Sequence, residues 1–523
     1  MGTLATYDDI RDRWRYLADS YWGGERYACP SSTVIGTARI HQWVQSVDDA
    51  GRYTGQLNAR AVASRSSYLL PHEGETVEAF DVRRSAAAYI NLIAPIADAY
   101  VDAVTGPVTR ELAALGTALV SMDGQGSGWA EIVEDVARWA TVYGWCALLL
   151  DLPETNPART LAEERALGVS VRATVIHPPA IAWVEVDRDG KVNEIAFTDQ
   201  PYAIRDSGVQ QVDLYVYTPD RWARHTVTVP SGTSGWQDTR RTLLNAVPTA
   251  QGEVRGGEVP VAFAYFRRDT SSPAPQGISL VSDAADLARA IYNGLSQINE
   301  IHSAAAPFMA VPTPESSAGA LDPQTRMQIG PRYAMGYPSS AGAPQWVQMG
   351  GETTREIREH CVFLGAMALR TTGLEVSAGD SPADASGTAL RIRSRDFDAR
   401  CVRFAKGMHA FELRALRIVA GLLGRSDDGV AVTYPKRFSL PDSAADLSRA
   451  LLAIQGVGEM LGPQARAALV RQVLDSAVSV DDEALAAMVA EMASPVAIAD
   501  DAVRRAEAGE LGTLPSPEEV MGG

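Results

Sequence analysis

The sequence is short of the residues on which most metal sites and many active sites are built. Of 523 residues, four are cysteine and seven histidine. Cys29, Cys146, Cys361 and Cys401 form no CxxC pair, and no histidine stands beside them at zinc-ligand spacing. Cys146, Cys361 and Cys401 each fall in an apolar or helical pattern, where a free thiol behaves as a small hydrophobe. Reduced core thiols and folding in a cytoplasm are therefore expected. His72-Glu73 and Glu359-His360 are neighbours, yet HExxH does not occur. No metal and no cofactor is expected. No apolar run approaches the ~18–20 residues of a membrane span. The longest candidate, Cys146 to Leu150, has the length of a strand. The start, MGTLATYDDIRDRW, is polar and acidic without a signal-peptide core, so no membrane partner is expected. Basic charge is also in deficit: 47 Lys and Arg stand against 64 Asp and Glu, a net charge of -17. Proteins that grip nucleic acid by neutralising phosphates are usually basic. Sequence-specific DNA binding is thus disfavoured, while a surface past which a polyanion slides is not.

What is present is ordinary globular composition, 46% apolar and 21% charged, in a chain long enough for about three domains. Residues 7–20 read as a short amphipathic helix. From Thr76 the positions Phe80, Ala87, Ile90, Ile93, Ala94, Ala97, Val101 and Val104 recur at helical spacing, with Pro95 expected to kink or split the helix and Gly106-Pro107 to stop it. A second helix fits 128–143, followed by a buried strand from Trp145 to Asp151. Residues 169–268 alternate or carry β-branched runs, and Asp189-Gly190 supplies a hairpin turn. They predict an antiparallel β-domain. A long helix then covers 280–304, ended by Pro307, and a Pro- and Gly-containing stretch with only short apolar pieces fills 308–350. A helix of ~30 Å is expected over 352–371 and one of ~54 Å over 388–423, at 1.5 Å per residue. Residues 428–440 suggest a short strand and turn. The Ala- and Leu-rich segment 442–510 reads as helical, with 14 acids against 5 Arg from Asp442 to Gly523.

No catalytic constellation emerges. Ser127 lies in GQGSGW, but the residues before it are polar rather than a buried strand, so neither a nucleophile elbow nor a phosphate loop has its context. A plain loop feeding the next helix is the expectation. Asp48-Asp49, Asp427-Asp428, Asp481-Asp482 and Asp500-Asp501 have no flanking scaffold that singles one out. The long helix after residue 387 carries Arg391, Arg393, Arg395, Arg400, Arg403, Lys406, Arg414 and Arg417 against Asp396, Asp398 and Glu412. That pattern fits first a solvated or subunit-contacting face; the alternative is a face turned to DNA.

Between the two last long helices lies LEVSAGDSPADASG, polar and acidic, with two Gly and one Pro. The order of segments around it resembles the portal proteins of tailed double-stranded DNA bacteriophages and prophages. YLLPHEGETVEAFDVRRSAAAYINLIAPIADAYVDAVTGP is similar to the early wing segment of that family, an Arg-containing helix running through an Asn to a Gly-Pro exit. Tyr143-Gly144 leading into ALLLD looks like its Gly-to-buried-strand step. GEVPVAFAYF and PQGISLVSDAADLARAIYNGLSQINEIHSAAAPFMAV resemble the entry into the first stem helix, and Ser386-Gly387-Thr388-Ala389-Leu390 resembles the start of the long wing helix. The resemblance covers about residues 65–490.

The resemblance implies an α+β subunit with a wing over 1–276, a first stem helix over 277–307, a clip over 308–350 and a second stem helix over 351–372. A tunnel loop over 373–387, a long wing helix and return strand over 388–441, and a crown and tail over 442–523 would complete it. It further implies no catalysis and a homo-oligomeric ring, twelve subunits when assembled, at one capsid vertex of a virion put together in the host cytoplasm. Its partners would be the major capsid protein, the terminase large subunit, a head-completion or adaptor protein, and double-stranded DNA passing without sequence specificity. Glu375, Ser377, Asp380, Asp384 and Ser386 would face the DNA channel, and Arg326, Arg332 and Tyr333 would contact partner or DNA at the clip. A multidomain hydrolase with a β-domain and helical cap, or a scaffold or adaptor protein with 374–387 as a surface loop, are the rival expectations.

Overall fold

The computed structural model describes residues 3–7, 9–28, 45–47, 53–57, 68–72, 75–152, 171–199, 211–228, 235–243, 246–272, 274–304, 309–313, 334–338, 351–374, 387–436 and 438. The chain divides into two compact units, Met1–Asp384 with Ile392–Phe438, and Ala385–Arg391 with Ser439–Gly523. Of the second unit, only residues 387–391 are described, and they are helical.

In chain order the elements are β1 (Thr3–Thr6), α1 (Arg11–Trp22), α2 (Gly24–Ala28), β2 (Gln45–Val47), β3 (Tyr53–Leu57), α3 (Val77–Ala86), α4 (Ile93–Thr105), β4 (Thr109–Glu111), α5 (Trp129–Tyr143) and β5 (Trp145–Asp151). They continue with β6 (Arg172–Ile176), β7 (Ile181–Val186), β8 (Val192–Thr198), β9 (Gln211–Tyr217), β10 (Arg221–Thr228), α6 (Gly235–Leu243), β11 (Ala250–Glu253) and β12 (Val261–Tyr265). The last are α7 (Ser282–Ala304), β13 (Met309–Thr313), β14 (Ala334–Pro338), α8 (Gly351–Thr372), α9 (Gly387–Leu423) and β15 (Ala431–Thr433). The fold class is α+β, as expected.

The β-rich region is antiparallel, as its sequence predicts, and its strands fall into two sheets. Strands order β1-β7-β8-β9-β10-β11 in one six-stranded sheet and β12-β5-β6 in a second of three strands. β1 comes from residues that carry no strand signal of their own, and pairs antiparallel along β7 from Thr3 opposite Val186 to Thr6 opposite Trp183. The β7–β8 hairpin turns where Asp189-Gly190 predicts it: Gly190 has φ +81°, and Asp187 accepts from the amides of Asp189 and Lys191. The six-stranded sheet is covered on both faces. Ile181, Val184 and Ile195 enter the main core, while Ala182, Trp183, Leu214 and Val227 pack with Trp236 of α6, a helix the β pattern hid.

β5 is the central strand of the smaller sheet, and Trp145 to Leu150 are buried without alternation. A strand covered on both faces has no polar side to show, hence the unbroken apolar run. α5 packs beside it, its first amide at Gly128 held by Glu131 at 3.0 Å and its end set by Gly144 at φ +91°.

The helix read from Thr76 is two helices, and Pro95 is not the break. Residues 87–92 are extended or irregular, with Ile90 exposed. Asn91 Oδ1 accepts from the amides of Ile93 and Ala94, which starts α4 and leaves Pro95 in its first turn. There its missing N–H costs nothing, because first-turn amides have no intrahelical partner. The alternation at Ala87 and Ile90 fits helical spacing only by coincidence.

Candidate functional site

α7 and α8 form the most extended pairing among the described elements. Gly294 faces Cys361 and Gly365 faces Ile291, so the two helices run antiparallel. A Cβ on Gly294 would stand 2.7 Å from Cys361 Sγ, which shows how closely the backbones approach. Beyond α7, β13 pairs in parallel with β14, from Met309 opposite Ala334 to Thr313 opposite Pro338. Residues 308–350, expected to hold only short apolar pieces, thus contain a two-stranded sheet, in which each strand has one open edge where a proline's missing N–H costs nothing.

The entry to α7 is built on a backbone crossing. A Cβ on Gly277 would lie 2.0 Å from Gly144 O, and one on Gly144 would lie 2.6 Å from Gly277 C. Ser279 Oγ donates to Val142 O at 2.6 Å, and the Leu280 amide donates to Thr141 O. Further along α7, Tyr16 donates to Ala285 O at 2.6 Å, and Asn293 accepts from the Leu70 amide at 2.7 Å while donating to Arg289 O. Arg83 and Glu75, both nearly fully buried, form a two-pronged ion pair with bonds of 2.8 and 2.6 Å, and Arg83 also reaches Leu70 O and Ser296 Oγ. Burial raises the Glu75 carboxyl, but the Arg83 bonds and the His72 amide outweigh it and leave it below the usual carboxylate range.

The return of α8 is pinned as firmly. Tyr100 of α4 donates to Thr372 O at 2.5 Å, and the Leu374 amide closes back on Leu369 O around Gly373 at φ +83°. This glycine-capped end fixes the point from which residues 375–386 depart.

α9 buries Cys401, Phe404, Met408, Phe411 and Ile418 at helical spacing. Glu412 sits on that same inner side with no exposure at all. It accepts from Arg110 Nε and Nη2, each at 2.9 Å, from Trp129 Nε1 at 2.9 Å, and from the Tyr434 hydroxyl. Burial pulls the Arg110 guanidinium down, but its bonds to Glu412 hold it above its ordinary value. Burial first, then the Glu412 charge, pushes the Tyr434 hydroxyl up. The basic residues are sorted by their side of the helix. Arg403, Lys406 and Arg417 are exposed, and Arg414 pairs with Glu258 at 2.7 Å.

Ser127 is a turn residue. Its Oγ donates to Asp123 Oδ2 at 2.6 Å, and Asp123 also accepts from the amides of Gln125 and Ser127. The Ser127 hydroxyl and these amides hold the Asp123 carboxyl down to about 2, too weak a base to activate a hydroxyl at neutral pH. The adjoining cleft of about 370 Å³ is lined by Glu131, Asp135 and Thr174 among others, and by no histidine. Cys146, Cys361 and Cys401 are buried free thiols, as expected; Cys29 lies outside the described residues. Among the described residues no cluster of three or more His, Cys, Asp or Glu is placed to hold a metal, and no helix is long and apolar enough to cross a membrane.

Glu375, Ser377, Asp380, Asp384 and Ser386, and Arg326, Arg332 and Tyr333, lie outside the described residues, as do the side chains of Arg391, Arg393 and Arg395. Sequence reasoning missed the Arg110–Glu412 node. Its one signal was an acid at a core position, in step with Met408 and Ala415.

No family model matches the chain, and no curated protein does. Solved structures remotely similar to it include two of gene transfer agent particles. One is the virion of a native gene transfer agent particle, at 15% identity and a TM-score of 0.37, covering 72% of this chain and 87% of that one. The other is the neck of an empty gene transfer agent particle computed with C6 symmetry, at 14% identity and a TM-score of 0.38, covering 75% and 92%.

Proposed function

We propose that this chain is a portal subunit: a structural, non-catalytic component of a phage-like virion that forms a closed ring at one capsid vertex. The ring is the conduit through which the genome is packaged and ejected. One observation carries the reading. A long antiparallel helix pair is bound to the body along one side, carries a small strand pair beyond α7, and returns to a pinned end just before an acidic segment. α7 and α8 are then the two stem helices, residues 308–350 the clip, residues 373–387 the tunnel loop, and α9 the long wing helix with β15 its return strand. Residues 442–523 are the crown and tail.

In this reading Glu375, Asp380 and Asp384, with Ser377 and Ser386, line the channel once per subunit. A repelled polyanion meets no deep electrostatic wells, so double-stranded DNA slides without sequence specificity. The net charge of -17 suits such a conduit. The clip, with Arg326, Arg332 and Tyr333, docks the terminase large subunit during packaging and the head-completion protein afterwards, while the major capsid protein surrounds the ring. ATP hydrolysis belongs to the motor. A cyclic assembly of this kind needs a head-to-tail contact whose rotation closes.

Negative-stain electron microscopy with native mass spectrometry on the same sample tests the reading. Rings with a central hole and a mass near twelve times 55.9 kDa are expected. A monomer or dimer that persists across salt and concentration, and in the presence of the capsid protein, would overturn it.

A further inference from the structure

α3, α7 and α8 form one layer with α7 in the middle. Arg83 of α3 reaches Ser296 on one side of α7, and Cys361 of α8 meets Gly294 on the other. Gly294 and Ser296 are two positions apart, which is about 200° of turn and ~3 Å of rise at 3.6 residues per turn. The outer helices therefore flank α7 on nearly opposite sides and at the same level.

Each outer helix turns apolar side chains away from the layer at that level. On α3, Phe80 and Arg83 are buried, while Val82, about 200° from Phe80, is 70% exposed, with Ala86 exposed one turn on. On α8, Cys361 is buried against α7, while Phe363, again about 200° round, is 56% exposed and Val362 beside it 61%. Each outer edge thus leaves neighbouring apolar side chains in water, where a packing partner would cover them.

We infer that the Val82 edge of α3 in one copy of this chain packs against the Phe363 edge of α8 in the next. This rests on the ring reading above and assigns its contact. A second copy fits because the two edges point in opposite directions. One head-to-tail interface covers both, whereas a two-fold contact through α8 leaves Val82 in water. In a closed ring every copy makes this contact twice, once through each edge.

Single and paired cysteine variants of the full chain test this with a short bis-maleimide. Val82→Cys and Phe363→Cys in one chain are expected to give a ladder of cross-linked species on denaturing gels. The two single variants mixed together are expected to give dimers only, and each alone only the wild-type background. Dimers from Phe363→Cys alone would overturn the inference in favour of a two-fold contact. Rings visible by microscopy with no cross-link above background would overturn the inference and leave the portal reading standing. Absence of both rings and cross-links would remove both. As a second variant, Phe363→Glu is expected to shift the assembly to monomers with unchanged helical circular dichroism; rings that persist would count against the contact.

Discussion

Arg110 donates two hydrogen bonds to Glu412, 302 positions further along the chain, and together they join β4 to the fully buried side of α9. Trp129, the first residue of α5, and Tyr434, just after β15, donate to the same carboxylate. Four segments thus meet at one acid whose acceptor sites are all used.

Glu412→Ala is expected to destabilise the body by about 3–5 kcal/mol, because it strands a buried guanidinium and two further donors. The double variant Arg110→Met/Glu412→Leu is expected to cost less than Glu412→Ala alone. Urea unfolding followed by tryptophan fluorescence reads both. A larger loss in the double variant would mean that the ion pair matters less than the packing around it.

Gly144 and Gly277 are expected to tolerate no side chain. A Cβ on either collides with the backbone of the other, which has nowhere to move. Gly144→Ala and Gly277→Ala should therefore fall into the insoluble fraction or lose tens of percent of soluble yield. Gly190→Ala is the control. It shares the positive φ but has nothing within 4 Å, so it should cost only the ~1–2 kcal/mol of left-handed backbone strain.

Gly294→Ala is expected to push α7 from α8 by bringing a methyl to Cys361 Sγ. Adding Cys361→Ala removes the obstructing sulfur and should restore most of the lost melting temperature. Failure of that rescue would place the cost of the alanine elsewhere than in the helix contact.

Asp19 gives a pH signature of unusual sign. Burial raises its carboxyl to about 6, against the hydrogen bond from Tyr68. The folded chain holds this proton more tightly than the unfolded one, whose carboxyl titrates near ~3.9. Asp19 therefore costs nothing below about pH 4, and its penalty grows until about pH 6 and is complete above it. At neutral pH the penalty is on the order of 2–3 kcal/mol. Asp19→Asn, which still accepts from Tyr68, is expected to stabilise the protein at pH 7 and to have no such effect at pH 4. Equal effects at both values would reject this account.

Much of the fold was legible along the chain. Long elements announce themselves because a periodic apolar stripe is a local record of a face that must be covered. α5, α8 and α9 lie within a residue or so of where that spacing puts them. α6 and β1 did not announce themselves. α6 is nine residues with one buried tryptophan, and β1 is four residues that become a strand only because β7 offers an open edge.

The candidate site divides the same way. Composition by itself determined the scarcity of metal ligands, the absence of a phosphate-binding loop and the acidic character of 374–387, since these depend on which residues are present and in what local order. Only the tertiary structure decided that Gly144 meets Gly277, that Glu412 is a buried acceptor rather than one more surface acid, and that Arg83 braces α7 rather than facing solvent. Each is a contact between residues more than a hundred positions apart. A buried charge or a missing Cβ is settled by what arrives from elsewhere in the chain, and neighbours in sequence carry no record of it.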